Sequence, residues 1–84
     1  MQVEVLLFAS LRDELGPLAT VTVPDSGPEG TTVGAVRSAF LAACPSAARL
    51  GRRMLVAVNE RHAGDSDPVR PGDVVAFLPP LAGG

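Results

Sequence analysis

The sequence is notable first for the residue types it lacks. Its 84 residues include no Lys, Trp or Tyr, and only one Cys and one His. Because every basic residue is Arg, no side chain can accept an isopeptide bond or form a Schiff base. The single Cys44 excludes an intrachain disulfide and a multi-cysteine zinc site. We interpret Cys44 as a small core residue at the end of a helix and His62 as a surface histidine.

Charge and hydropathy exclude further classes of protein. The net charge of −2, the pI of about 5.1 and the absence of any basic run argue against nucleic-acid binding. No apolar run approaches the ~20 residues of a membrane span, and the first residues lack a charged signal-peptide start. Asp65, Asp67 and Asp73 fit turns better than a calcium loop. We therefore predict a cytoplasmic protein with no membrane or nucleic-acid partner, no metal site, no bound cofactor and no catalysis of its own.

The hydrophobic pattern predicts one small α+β domain. Alternating or continuous apolar runs indicate strands at 2–8, 18–23, 54–58 and 74–78, with a brief edge strand at 61–63. A short helix is predicted with Ser10 as its N-cap, and a main helix capped by Thr31 or Thr32 and ended by Pro45. Since Val33, Val36, Phe40 and Ala43 or Cys44 form one stripe of that helix, we expect a mixed four- to five-stranded sheet packed on one main helix.

The carboxyl-terminal segment carries the strongest functional signal. Pro79 and Pro80 lack backbone N–H groups, so they end the last strand and direct the chain into an extended course. Gly83 and Gly84 have no side chains and form the narrowest backbone a protein can make. Four extended residues reach roughly 13 Å, enough to enter another protein's active site. We therefore divide the chain into a domain at 1–80 and an extended, flexible tail at 81–84.

Four segments together resemble a known family. They are Leu6-Leu7-Phe8-Ala9-Ser10-Leu11-Arg12-Asp13, Thr32-Val33-Gly34-Ala35-Val36-Arg37, Val56-Ala57-Val58-Asn59-Glu60 and, above all, the block from Pro71 to Gly84. This pattern resembles the small subunits of molybdopterin synthase, which belong to the ubiquitin-like β-grasp sulfur carriers. The terminal block is the specific part, since the rest fits many β-grasp proteins.

The resemblance implies a mechanism. A ubiquitin-activating-like adenylyltransferase would use ATP to adenylate the Gly84 carboxylate, and a sulfur donor would displace AMP and leave a thiocarboxylate on Gly84. The tail would then enter the large subunit of the synthase, a heterotetramer, and pass its sulfur to a cyclic pyranopterin precursor. Residues expected to bind partners are Phe77, Leu78, Pro79, Pro80, Leu81, Ala82 and Gly83. Strand alternation places Phe77 and Leu78 on opposite faces, so one of them could be core instead.

Two other interpretations remain open at this stage. The chain could be a ubiquitin-like sulfur carrier or protein modifier for another pathway, such as tRNA thiolation or a tungsten cofactor. It could also be a β-grasp interaction module whose tail is inert. The first alternative shares the chemistry of the tail, whereas the second predicts that removal of Gly83 and Gly84 changes nothing.

Overall fold

The computed structural model describes residues 1–24, 30–49 and 51–80. The predicted tail at 81–84 lies outside the described residues. No helix in the described part of the chain is long and apolar enough to cross a membrane. The elements, in chain order, are β1 (Gln2–Leu7), α1 (Ala9–Leu15), β2 (Leu18–Thr22), β3 (Thr31–Thr32), α2 (Val33–Ala43), two 3₁₀ turns (Pro45–Ala47 and Gly51–Arg53), β4 (Leu55–Val58), β5 (Arg61–His62), β6 (Pro68–Val69) and β7 (Val75–Leu78).

Five of the strands form one mixed sheet, as the sequence predicts. Its order is β2-β1-β7-β4-β5, so β1 and β7 lie together near its centre. These two strands are parallel, while β1 with β2, β4 with β7 and β4 with β5 pair antiparallel. The strands β3 and β6 form a separate two-stranded sheet that the sequence did not predict.

Helix α2 covers one face of the sheet, and its predicted stripe is confirmed. Val33, Val36 and Phe40 are fully buried. The predicted cap is confirmed at Thr32, whose side-chain oxygen accepts a hydrogen bond from the Ala35 amide at 3.3 Å. The Phe40 ring meets that of Phe77, with the ring centroids 4.8 Å apart. The core is otherwise aliphatic, in keeping with the low aromatic content.

Arg37 fixes the orientation of α2. Its guanidinium bonds the Met54 carbonyl at 2.7 Å, the Gly51 carbonyl at 3.3 Å and the Asp65 carboxylate at 3.0 Å. The Arg37 side chain is only 11% exposed. Because these partners precede β4 or follow β5, Arg37 ties one flank of the helix to the β4 side of the sheet.

The start of α1 differs from the prediction. The helix begins at Ala9, its N-cap position is Phe8, and no side chain of the described residues caps it, so Ser10 is not the cap. The Phe8 amide still bonds the Phe77 carbonyl at 3.3 Å, which extends sheet pairing to this residue. The chain then turns sharply at Ala9, with φ of 52°. The helix therefore starts before Ser10 can reach a capping position.

Gly30 is the glycine whose replacement should cost most. Its φ is +82°, and a Cβ there would lie 2.2 Å from the Val69 carbonyl oxygen. We expect Gly30→Ala to lower the free energy of unfolding by about 2–4 kcal/mol, because the clash adds to the cost of positive φ. Urea denaturation measures this. The matched control is Gly72→Ala, since Gly72 has φ of +89° but no atom within 4 Å, and it should cost only about 1–2 kcal/mol. Equal losses would contradict the clash.

Candidate partner-docking surface

The structure separates the residues that the sequence grouped at the carboxyl end. Phe77 is fully buried against α2, whereas Leu78 is half-buried on the opposite side of the sheet. Pro79 and Pro80 follow Leu78 and are also half-buried. Since strand neighbours point to opposite faces, the expectation that the Phe77 side chain binds a partner is corrected. Leu81, Ala82, Gly83 and Gly84 lie outside the described residues.

An apolar surface occupies the side of the sheet that faces away from α2. Register places Leu18 beside Leu6, Leu6 beside Ala76, and Ala76 beside Ala57 across four strands. Phe8, Leu55, Val74 and Leu78 extend this surface, and Leu55 pairs directly with Leu78. We call these eight residues the open face. Leu18, Val74, Phe8 and Leu55 are 57%, 48%, 41% and 38% exposed. Contiguous exposed apolar residues of this kind mark interaction sites in soluble proteins.

A groove runs through the middle of the open face. It encloses about 480 Å³ and is lined by Leu6, Phe8, Ala57, Val74, Ala76, Leu78, Asn59 and Glu60. Ala57 and Ala76 pair with each other in the sheet, and their small side chains form the floor of the groove. The larger side chains of Leu6, Leu55 and Leu78 lie beside them. Glu60 contributes an acidic group to the rim. The groove therefore offers apolar contact next to the strand that leads into the tail.

Asn59 holds the rim of this groove in place. Asn59 and Glu60 form the two-residue turn between β4 and β5, and both have positive φ, which Asn tolerates better than most residues. The Asn59 side-chain oxygen accepts a bond from the Val74 amide at 3.0 Å, and its NH₂ donates to Asp73 at 3.1 Å. The second Asp73 oxygen accepts from the Arg70 amide at 2.8 Å. This network fixes the chain just before β7.

The Asp73 carboxylate has a pKa below its ordinary value of 3.8, mainly because of the Arg70 amide bond and then the Asn59 bond. A carboxyl group with a lowered folded-state pKa contributes stability above its unfolded pKa and loses it as the pH falls through the folded value. We expect Asp73→Asn to be less stable than the wild type at pH 7, with a difference that shrinks below about pH 3.8. Urea denaturation across this range measures it. A difference independent of pH would contradict the role of the ionised carboxylate.

The remaining candidate residues have the positions the sequence suggested. Cys44 is half-buried against the core at the carboxyl end of α2. His62 is exposed on β5, opposite Ala57 in the register. Within residues 1–24, 30–49 and 51–80, no group of three His, Cys, Asp or Glu residues could hold a metal ion.

The open face is the functional feature that sequence reasoning missed. The continuous apolar run from Leu6 to Phe8 is typical of a central strand, and it does not indicate which of its side chains face solvent. The sequence predicts one main helix packed on the sheet, but the exposure of the opposite face was not inferred from it. The available signal was the single main helix, which cannot cover both sides of a five-stranded sheet.

Solved structures identify the fold as a ubiquitin-like β-grasp. The structure is similar to the crystal structure of SAMP1 from Haloferax volcanii, with a TM-score of 0.78 and 28% identity over all of both chains. It is also similar to a chain in the crystal structure of the Amycolatopsis orientalis BexX/CysO complex, with a TM-score of 0.64 and 26% identity over 98% of this chain and 99% of that one. The second of these structures is a protein–protein complex.

Sequence comparison gives the family. The ThiS family model matches residues 5–84, so the chain belongs to the ThiS family. It is 34% identical to the molybdopterin synthase sulfur carrier subunit of Escherichia coli over 98% of this chain and 99% of that protein. It is 31% identical to the protein of the same name from Arabidopsis thaliana, over all of this chain and 84% of that protein.

Proposed function

We propose that this chain is the sulfur carrier subunit of a molybdopterin synthase. The observation that carries the proposal is its 31% and 34% identity to two proteins of that name over essentially the whole chain. The open face next to β7 supports it, because a carrier must dock on partners while it presents its carboxyl end.

The chemistry requires the Gly84 carboxylate to be activated by another protein. An adenylyltransferase joins that carboxylate to the AMP moiety of ATP and releases pyrophosphate. A sulfur donor then attacks the acyl carbon, AMP leaves, and Gly84 carries a thiocarboxylate. The synthase transfers this sulfur to a cyclic pyranopterin precursor, and water attacks the acyl carbon, so that the C–S bond breaks and the carboxylate is regenerated for another cycle. The chain binds no cofactor of its own in this scheme, and ATP is consumed by the activating enzyme.

The open face would bind the large subunit and the adenylyltransferase in turn. Leu78 contributes an apolar side chain to this surface, and Pro79 and Pro80 end the β7 ladder so that the next residues can leave the sheet. Leu81, Ala82 and Gly83 would then fill a narrow channel that leads to the catalytic centre. We propose that the carrier acts in the cytoplasm, within a heterotetramer of two small and two large subunits.

A second candidate function follows from the similarity to SAMP1, with a TM-score of 0.78. The name SAMP1 stands for small archaeal modifier protein 1. A modifier would use the same activated Gly84 carboxylate and transfer the acyl group itself, rather than sulfur, to an amine of another protein. The two functions therefore differ in what the acceptor receives: sulfur from the carrier, or the acyl group from the modifier.

Mass spectrometry of the carboxyl-terminal peptide tests the proposal. The chain is incubated with the adenylyltransferase, ATP and a sulfur donor, and replacement of oxygen by sulfur is sought at Gly84. Peptide-level localisation is needed because oxidation of Met1, Met54 or Cys44 gives nearly the same mass change. A thiocarboxylate that is consumed on addition of the large subunit and precursor supports the sulfur carrier. An amide-linked conjugate supports the modifier. An unmodified tail, with the enzyme proven active on another carrier, contradicts both.

A further inference from the structure

The outer edge of β2 has backbone groups that point away from the sheet. Met1 and Val23 exchange both of their backbone hydrogen bonds, and Leu7 donates to Pro17. Bonded and non-bonded pairs alternate along an antiparallel ladder, so Val21 and Ala19 bond to β1. The N–H and C=O groups of Leu18, Thr20 and Thr22 therefore point outward. No hydrogen bond from them to another described residue is present in the structure.

Within the part of the chain that the structure describes, this edge carries none of the devices that usually protect an exposed strand. Proteins block such edges with charged side chains, prolines, bulges or very short strands. The five residues of β2, Leu-Ala-Thr-Val-Thr, contain no charge and no proline, and their pairing with β1 is continuous. At the opposite edge of the sheet, β5 is two residues long and consists of Arg61 and His62. Of the two edges, only β2 is suited to accept another strand.

The flank of α2 beside β2 leaves room for that strand. Arg37 points to the β4 side of the sheet, where it bonds Gly51 and Met54. At 3.6 residues per turn, the opposite flank of the helix carries Ala35, Ala39 and Ala42. The helix contacts β2, and Ala35 and Ala39 are half-buried whereas Ala42 is exposed. Because these side chains are methyl groups, α2 projects no long side chain from this flank.

The β2 edge is continuous with the open face. The side chains of Leu18, Thr20 and Thr22 are exposed on the same side of the sheet as Leu6, which pairs with Leu18. A protein that covers the open face therefore reaches the β2 edge without a gap. A second copy of this chain is a poorer occupant, because β2 pairing alone would join two five-residue strands, far less than the about 800 Å² per partner of a stable interface.

We propose that β2 accepts an extended strand of the large subunit, which adds to the sheet beside β2 while the rest of that subunit covers the open face. The inference rests on the proposed function, since it takes the large subunit as the partner. Main-chain hydrogen bonds to Leu18, Thr20 and Thr22 supply affinity in this mode of recognition, and side chains that alternate between the open face and the alanine flank of α2 supply specificity.

Replacement of Thr20 by proline tests this pairing selectively. Because the Thr20 N–H points outward, Thr20→Pro removes a donor from the edge and none from the β1 ladder, and edge strands tolerate such a proline. Thr20→Val is the matched control, since it changes the side chain and keeps the N–H. Calorimetric titration with the purified large subunit should show about tenfold or greater loss of affinity for Thr20→Pro, and a change within about threefold for Thr20→Val.

Amide hydrogen exchange of the wild-type complex gives a second test that needs no variant. In the free protein, the amides of Leu18, Thr20 and Thr22 should exchange quickly, while those of Ala19 and Val21 are protected by their bonds to β1. Addition of the large subunit should slow the first three by about tenfold or more.

The outcomes distinguish this inference from the proposed function. If the wild-type chain does not bind the large subunit, the proposed function fails. If the wild-type chain binds, but Thr20→Pro binds equally well or the outward amides still exchange quickly in the complex, the edge pairing is overturned and the proposed function stands. If Thr20→Pro does not fold, the exchange experiment decides alone.

Discussion

Deletion of Gly84 is expected to abolish sulfur transfer while the domain stays folded. The shortened chain ends at Gly83, so its carboxylate falls about 3.3 Å short of the position at which, under the proposed function, the activating enzyme and the synthase would meet it. Proximity of reacting atoms contributes several kcal/mol to catalysis, and a misplacement of about 1 Å can cost about a hundredfold in rate. The core of the described part of the chain is formed by residues from Val3 to Phe77, without any contribution from Pro79 or Pro80. The rate of thiocarboxylate formation and the melting temperature of the domain measure the two halves of this prediction.

A matched variant distinguishes an effect of the position of the terminal carboxylate from an effect of losing a glycine residue. Addition of one glycine after Gly84 keeps every residue of the chain but moves the terminal carboxylate the same distance in the other direction, so it should be equally inactive. A shortened chain that carries sulfur on Gly83 and transfers it at the wild-type rate would contradict the expectation that the terminal carboxylate must lie at a fixed distance from the domain. A large fall in melting temperature on deletion would show instead that the tail contributes to the fold.

Phe77→Ala is expected to destabilise the domain by about 3–5 kcal/mol, the usual cost of deleting a buried aromatic side chain. Phe77 is fully buried and contacts Phe40, so its removal leaves a cavity between the sheet and α2. Native proteins have only about 5–15 kcal/mol of stability, so the variant should lose a large fraction of the total and melt at a lower temperature. Equilibrium urea denaturation gives the loss directly.

Leu78→Ala is the control on the adjacent residue. Leu78 lies on the open face, so its truncation should cost about 1 kcal/mol or less of stability and weaken binding of the large subunit instead. The two variants should thus show opposite patterns in denaturation and in calorimetric binding. A Phe77 variant that folds normally but binds the large subunit weakly would show instead that the Phe77 side chain contacts the partner.

The elements predicted best were those whose position is determined by local sequence features, such as a capping side chain or a helical period. Thr32 caps α2, and Val33, Val36 and Phe40 are buried, because a capping side chain and a stripe of helical period are local properties of the sequence. The pairing of β3 with β6 was missed because strands of two residues have no measurable period. Ser10 was assigned as a cap because it has the right side chain, but sheet pairing at Phe8 determined where α1 begins.

The candidate site was predictable only in part, for a different reason. Alternation showed that Phe77 and Leu78 face opposite ways, but which one faces the core depends on the side of the sheet that α2 covers. That choice is made by tertiary contacts, such as those of Arg37 with Met54 and Asp65. The network of Asn59 and Asp73 also joins residues far apart in the sequence. The residue types Asn59 and Asp73 are typical of turns, but they do not indicate that hydrogen bonds join these two turns.

The parallel pairing of β1 with β7 has a mechanical consequence. These strands lie side by side near the centre of the sheet, and β7 is held on its other side by β4. A force applied at the carboxyl end acts along β7, so it loads the hydrogen bonds of both ladders in shear, and these bonds must break together rather than one after another. The carboxyl-terminal segment, which would be presented to other proteins under the proposed function, thus follows a strand that is paired on both sides.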